Sequence, residues 1–92
     1  MKTAMLDTSL EAWHELWHRL GHAQQRVYWL IRAATDTGFD MTNMEIAHAL
    51  GWSINRVTPR VKELRDAGLV EAACRRACGV TGHPAYAWRT RR

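Results

Sequence analysis

Between Met41 and Gly68 the chain carries the start and stop signals of two short helices separated by one glycine turn. No other stretch narrows the possible folds as far. Thr42 with Glu45 three residues later is a capping box, in which the hydroxyl and the carboxylate each satisfy a free amide at a helix start. Met41 just before the cap and Ile46 four residues after it match the hydrophobic staple. The predicted helix runs to about Leu50 with Ile46, Ala47 and Leu50 inward, and Gly51 supplies a left-handed stop. Val57, Val61 and Leu64, spaced four and three, give one apolar face to a following helix that ends at Gly68. Pro59 leaves two starts open for this helix. Either Ser53 is the cap and Pro59 kinks the helix at its sixth position, or Thr58 is the cap and Pro59 the first helical residue. Both leave Arg60 near the helix start. Helix, glycine turn and second helix make a helix-turn-helix.

Two more helices precede this unit. Thr8 and Glu11 form a capping box for a first helix over about Ser9 to Leu20, whose Leu10, Trp13, Trp17 and Leu20 make one apolar stripe. After Gly21 a second helix spans roughly His22 to Thr35, with Val27, Leu30, Ile31 and Ala34 as its core face and Phe39 buried in the loop beyond. Past Gly68 the composition turns β-like. Leu69, Val70 and Glu71 lead towards Cys74, Tyr86 to Arg89 lead out after Pro84, and Gly79, Thr81 and Gly82 mark the turn between. The predicted class is mainly α with a small β-hairpin.

Charge divides at the same seam. Met1 to Ser53 holds four basic and six acidic residues, whereas Ile54 to Arg92 holds nine basic and three acidic. A cationic surface confined to one part of a small domain is the electrostatic footprint of a phosphate-binding face. The 92 residues make one domain, and a 47% hydrophobic content with five tryptophans excludes a disordered tail. No apolar run approaches membrane-spanning length, and Met1 to Leu10 lacks a signal-peptide layout, so the expectation is a soluble, cytoplasmic protein without membrane contact. Glycine-rich phosphate loop, nucleophile elbow and acid–base carboxylate pair are all missing from the sequence, which argues against an enzyme and a cofactor.

The run MTNMEIAHALGWSINRVTPRVKELRDAGLVEAAC resembles winged helix-turn-helix proteins of the broad MarR, ArsR and IclR-like type, and small phage and prophage winged-helix proteins most of all. The likeness covers Ala23 to about Arg89. It implies an N-terminal helix over 1–21, available for dimerisation, and a winged helix-turn-helix domain over 22–92. Thr81, Gly82, His83, Pro84 and Ala85 occupy the stretch before the last strand, with His83 where an arginine is usual. The resemblance implies a small transcriptional regulator of phage type that binds duplex DNA in a sequence-specific way. Docking to a polymerase, replication or defence component is the alternative, since winged helices serve both purposes.

In such proteins the second helix of the pair enters the major groove. Asn55, Arg56, Thr58, Arg60 and Lys62 are then the candidate DNA contacts on it, since arginine pairs bidentately with guanine and asparagine with adenine. Arg75 and Arg76 near the wing are candidates for phosphate or minor-groove contact. Leu10, Trp13, Trp17 and Leu20 are the candidate homodimer residues, or else pack on their own core. Trp29, Trp52 and Trp88 read as core aromatics. No metal site is assigned: His14, His18 and His22 lack a converging partner, and Cys74 and Cys78 lack a second pair. A redox role for these cysteines stays open, because Arg75 and Arg76 beside them would favour a thiolate.

Overall fold

The computed structural model describes residues 14–91. Helix α1 covers residues 14–19 of it; Leu10, Trp13 and the Thr8–Glu11 capping box lie outside the described residues. Helix α2, His22–Asp36, starts at Gly21, whose amide donates to Gln24 Oε1 at 2.7 Å, and closes on Gly38 at φ +84°. Its fully buried side chains are Val27, Tyr28 and Ile31. Leu30 and Ala34 are only half-buried, so the inward face is turned one residue towards Tyr28 from the expected stripe. Tyr28 earns that place through edge-on contact with Trp17, ring centroids 5.4 Å apart.

The capping box forms as the residues dictate. Thr42 Oγ1 accepts from the Glu45 amide at 3.2 Å, and Glu45 Oε1 accepts from the Thr42 amide at 3.0 Å. Helix α3, Asn43–Leu50, follows and stops at Gly51, φ +70°. Helix α4, Ile54–Asp66, resolves the Pro59 ambiguity in favour of Ser53, whose hydroxyl accepts from the Arg56 amide at 3.3 Å. Pro59 sits inside the helix on its exposed side, so the carbonyl that its missing N–H leaves without a helix donor is that of the exposed Asn55.

The sheet has three antiparallel strands rather than the two of a hairpin. Strand β1 (Met41–Thr42) lies outside β3 (Pro84–Thr90), and β2 (Val70–Ala77) lies on the other side of β3. The extra strand follows from the cap: an N-cap residue is extended, so the two residues entering α3 are already shaped to pair with Trp88 and Ala87. A bulge between Ala72 and Cys74 interrupts β2.

The core gathers Val27, Tyr28, Ile31, Ile46, Ala47, Val57, Val61, Leu64, Leu69, Val70 and Trp88 from α2, α3, α4, the turn before β2, β2 and β3. Leu16, Trp17 and Leu20 pack against it from α1. Of the four residues expected at a dimer interface, Trp17 and Leu20 therefore lie on the chain's own core. Two expected core aromatics are on the surface instead: Phe39 is 69% exposed and Trp29 54%. The Phe39 amide is held by the Ala34 carbonyl in the turn after α2, which carries the ring outward, and Trp29 falls on the flank next to Tyr28.

Candidate nucleic-acid interface

Helix α4 buries Val57, Val61 and Leu64, and the 3.6-residue period puts Asn55, Thr58 and Lys62 on its opposite side, all exposed. Arg56 and Arg60 fall on the flank facing away from the sheet, and Arg65 on the flank facing it. The arginines then divide by the company they keep.

Arg60 is carboxylate-bound. Its Nε and Nη2 donate to Glu63 at 2.7 and 2.9 Å, and Glu63 also accepts from Gln24 of α2 at 2.8 Å. The guanidinium holds the Glu63 carboxyl below its usual range, with Gln24 helping, and Glu63 in turn raises Arg60. The Ser53 cap places Arg60 seventh in the helix, in its second turn, so the expectation that it leads at the helix start is corrected: it is the rivet between α4 and α2.

Arg76 is bound more completely still. All five of its N–H donors are taken: Nε by Asp40 Oδ1 at 2.7 Å, and the two terminal nitrogens by Glu45 Oε1 and Oε2 at 2.7 and 2.8 Å and by the Asp40 and Ala77 carbonyls at 3.0 Å each. No donor is left for a phosphate. Arg76, expected to reach outward from the wing, is a clamp between β2 and the start of α3. Its carboxylate partner Glu45 accepts from Arg76, from the Thr42 amide and, at 2.7 Å, from the Gly79 amide. The bond to Arg76 above all, against burial, holds the Glu45 carboxyl at about 2.

Arg56, Arg65 and Arg75 lie over aromatic rings instead. Arg56 Cζ is 3.6 Å from the centre of the Trp52 ring, Arg65 5.9 Å from Trp88, and Arg75 5.8 Å from Tyr86. An arginine stacked this way keeps its full charge and a preset direction. Arg65 also touches Asp66 at 3.9 Å, and Lys62 bonds Asp66 at 2.8 Å; both pairs are exposed and therefore weak. Asn43 ties the three parts together, donating to Thr58 Oγ1 at 3.4 Å and accepting from Trp88 Nε1 at 2.8 Å. Between the end of α4 and the sheet lies a cavity of about 390 Å³ lined by Arg65, Val70, Glu71, Ala72, Tyr86, Trp88 and Arg91. Arg89 and Arg91 both pair with Glu71.

Asn55, Arg56, Thr58, Lys62 and Arg75 thus stay outward, and Arg65 and Tyr86 join them, while Trp52, expected in the core, is half-buried beneath Arg56. Tyr86 and Trp88 alternate along β3, a period-two signal that would have placed them on one face.

The cysteines do not form a redox pair. Only three residues of extended chain lie between them, which sets them roughly 13 Å apart, beyond disulfide reach. Cys74 is exposed and donates to Asp40 at 3.4 Å, so that carboxylate pushes its thiol up, the reverse of the effect expected from Arg75 and Arg76. Cys78 is buried against Thr42 Oγ1 at 3.1 Å. Burial pushes this thiol up, but hydrogen bonds from the Thr42 hydroxyl and the Thr81 and Val80 amides outweigh it and hold it at about 7. No helix is long and apolar enough to cross a membrane among the described residues. No protein-family model and no curated protein sequence matches this chain.

Proposed function

We propose that the chain is a winged-helix protein that binds duplex DNA, with the outer face of α4 in the major groove and the β2–β3 hairpin as the wing beside it. The observation that carries this reading is the sorting of the arginines. Those that brace the fold, Arg60 and Arg76, are held by carboxylates, while Arg56 and Arg75 rest on aromatic rings with no carboxylate bonded to them among the described residues, and Arg65 lies over Trp88 with only a loose contact to Asp66. Such charges neutralise phosphates and release counterions, and Asn55, Arg56 and Thr58 between them supply base-edge donors and acceptors. The order helix, helix-turn-helix, hairpin supports the same reading, as does the concentration of positive charge after Ile54. A small transcriptional regulator, of phage type by its resemblance, is the role proposed.

Fluorescence anisotropy of a labelled duplex across a salt series tests this. With Lys62, Arg65 and Arg75 as phosphate partners, log K against log salt is expected to fall with a slope of about −3 per chain and about −5 for two chains on a two-fold site. Arg75→Ala is expected to flatten the slope by about one, and Arg76→Ala to leave it unchanged wherever the variant is folded. A protein with no affinity for any duplex at low salt would favour protein docking, for which Trp29 and Phe39 offer exposed aromatic surface.

A further inference from the structure

The turn of the helix-turn-helix holds an aromatic platform that the charge pattern alone does not reveal. Gly51, at φ +70°, ends α3, and the next amide, that of Trp52, donates back to the Ala47 carbonyl at 3.0 Å. This fixes Trp52 half-buried against the core with its ring beneath the first turn of α4. Arg56 lies over that ring at van der Waals distance, its Cζ 3.6 Å from the centroid, and its own amide is anchored by Ser53. Among the described residues no carboxylate bonds this guanidinium.

Two physical consequences follow. A guanidinium resting on a ring face uses its flat surface for the contact, so the N–H groups around its rim remain available in one plane. The long side chain is also ordered before any partner arrives, so less rotamer freedom is lost on binding. A planar, pre-oriented pair of donors is what the O6 and N7 acceptors of guanine require in the major groove. A lysine in the same place would supply charge without the fork.

Resting on the duplex-DNA reading above, we propose that Arg56 is the guanine-reading residue of this protein and that Trp52 is the residue that positions it. The target site then carries a guanine opposite the first turn of α4. Arg60, tied to Glu63, has no part in reading it.

The test is selection from a randomised duplex pool with sequencing, run with wild type, Arg56→Lys, Trp52→Leu and Trp52→Phe. Wild type is expected to enrich guanine at one position. Arg56→Lys is expected to lose that preference by roughly 5- to 150-fold while keeping most of its affinity for random duplex, because the charge is retained. Trp52→Leu, which keeps an apolar side chain but no ring, is expected to lose a large part of the same preference at the same position. Trp52→Phe, which restores a ring face, is expected to recover it.

A readout without DNA stands beside this one. Ring current from Trp52 is expected to move the Arg56 δ-methylene proton resonances upfield in the free wild-type protein. This needs no variant to fold. Unshifted protons overturn the proposal, as does a guanine preference that survives Arg56→Lys or survives Trp52→Leu in a folded protein. Wild type that binds no duplex at all removes both the DNA reading and this one. Wild type that binds duplex tightly but behaves like Arg56→Lys removes only this one.

Discussion

Replacing Glu45 by alanine is expected to lower the stability of the fold by about 2–4 kcal/mol, because it strips one partner from a half-buried ion pair and frees two backbone amides at once. Arg76 would keep its charge and lose its bidentate acceptor, while the Thr42 and Gly79 amides would lose theirs. The same group sets the response to acid. Its carboxyl titrates at about 2 in the folded chain against an ordinary 4.5, so its contribution is fully present above about 4.5 and is lost as pH falls towards 2. A shift of that size corresponds to about 3 to 4 kcal/mol. Urea unfolding of wild type and Glu45→Gln at pH 7 and pH 3 checks the assignment. The glutamine variant is expected to be weaker at pH 7 and to lose less on acidification. Equal losses in both proteins would move the acid sensitivity to other carboxylates.

Tyr28→Ala is expected to cost about 3–5 kcal/mol, enough to bring a domain of this size close to unfolding. Tyr28 is 1% exposed and is the largest of the fully buried side chains. It meets Trp17 of α1 edge-on at 5.4 Å and Trp29 at 5.8 Å, so its removal opens a cavity that aliphatic neighbours cannot close. Tyr28→Phe keeps the ring and loses only the hydroxyl that accepts from Arg32 at 3.3 Å, and is expected to cost less than about 1 kcal/mol. Thermal unfolding of the two variants measures the difference. A small effect of Tyr28→Ala would mean that α1 does not close this side of the core.

The elements with strong local signals were legible in the sequence. Thr42, Glu45 and Gly51 define α3 through contacts within four residues, and Val57, Val61 and Leu64 give the inward face of α4 by periodicity alone. The Ser53 and Thr58 starts could not be separated, because both satisfy the local chemistry of a cap and only the packing of Val57 as part of the helix decides between them. Strand β1 escaped notice since two residues carry no periodicity, and its pairing depends on Trp88 and Ala87 some 45 residues away. Arg60 and Arg76 escaped for a related reason. A sequence shows that an arginine is charged but not that Gln24 and Glu63, or Asp40 and Glu45, converge on it from distant segments. The outward set of Asn55, Arg56, Thr58 and Lys62 was readable because it is the complement of a well-marked core stripe.

The single carboxylate of Glu45 also binds together two amides that belong to different parts of the chain, Thr42 at the head of α3 and Gly79 in the loop after β2. Neither amide can exchange its hydrogen with water until that carboxylate releases it. Opening of the loop after β2 and fraying at the head of α3 are therefore coupled through one side chain, and the two amides are expected to share similar protection factors, each lowered in Glu45→Gln. A duplex that grips the hairpin would slow exchange at the first turn of α3, although α3 itself need touch nothing.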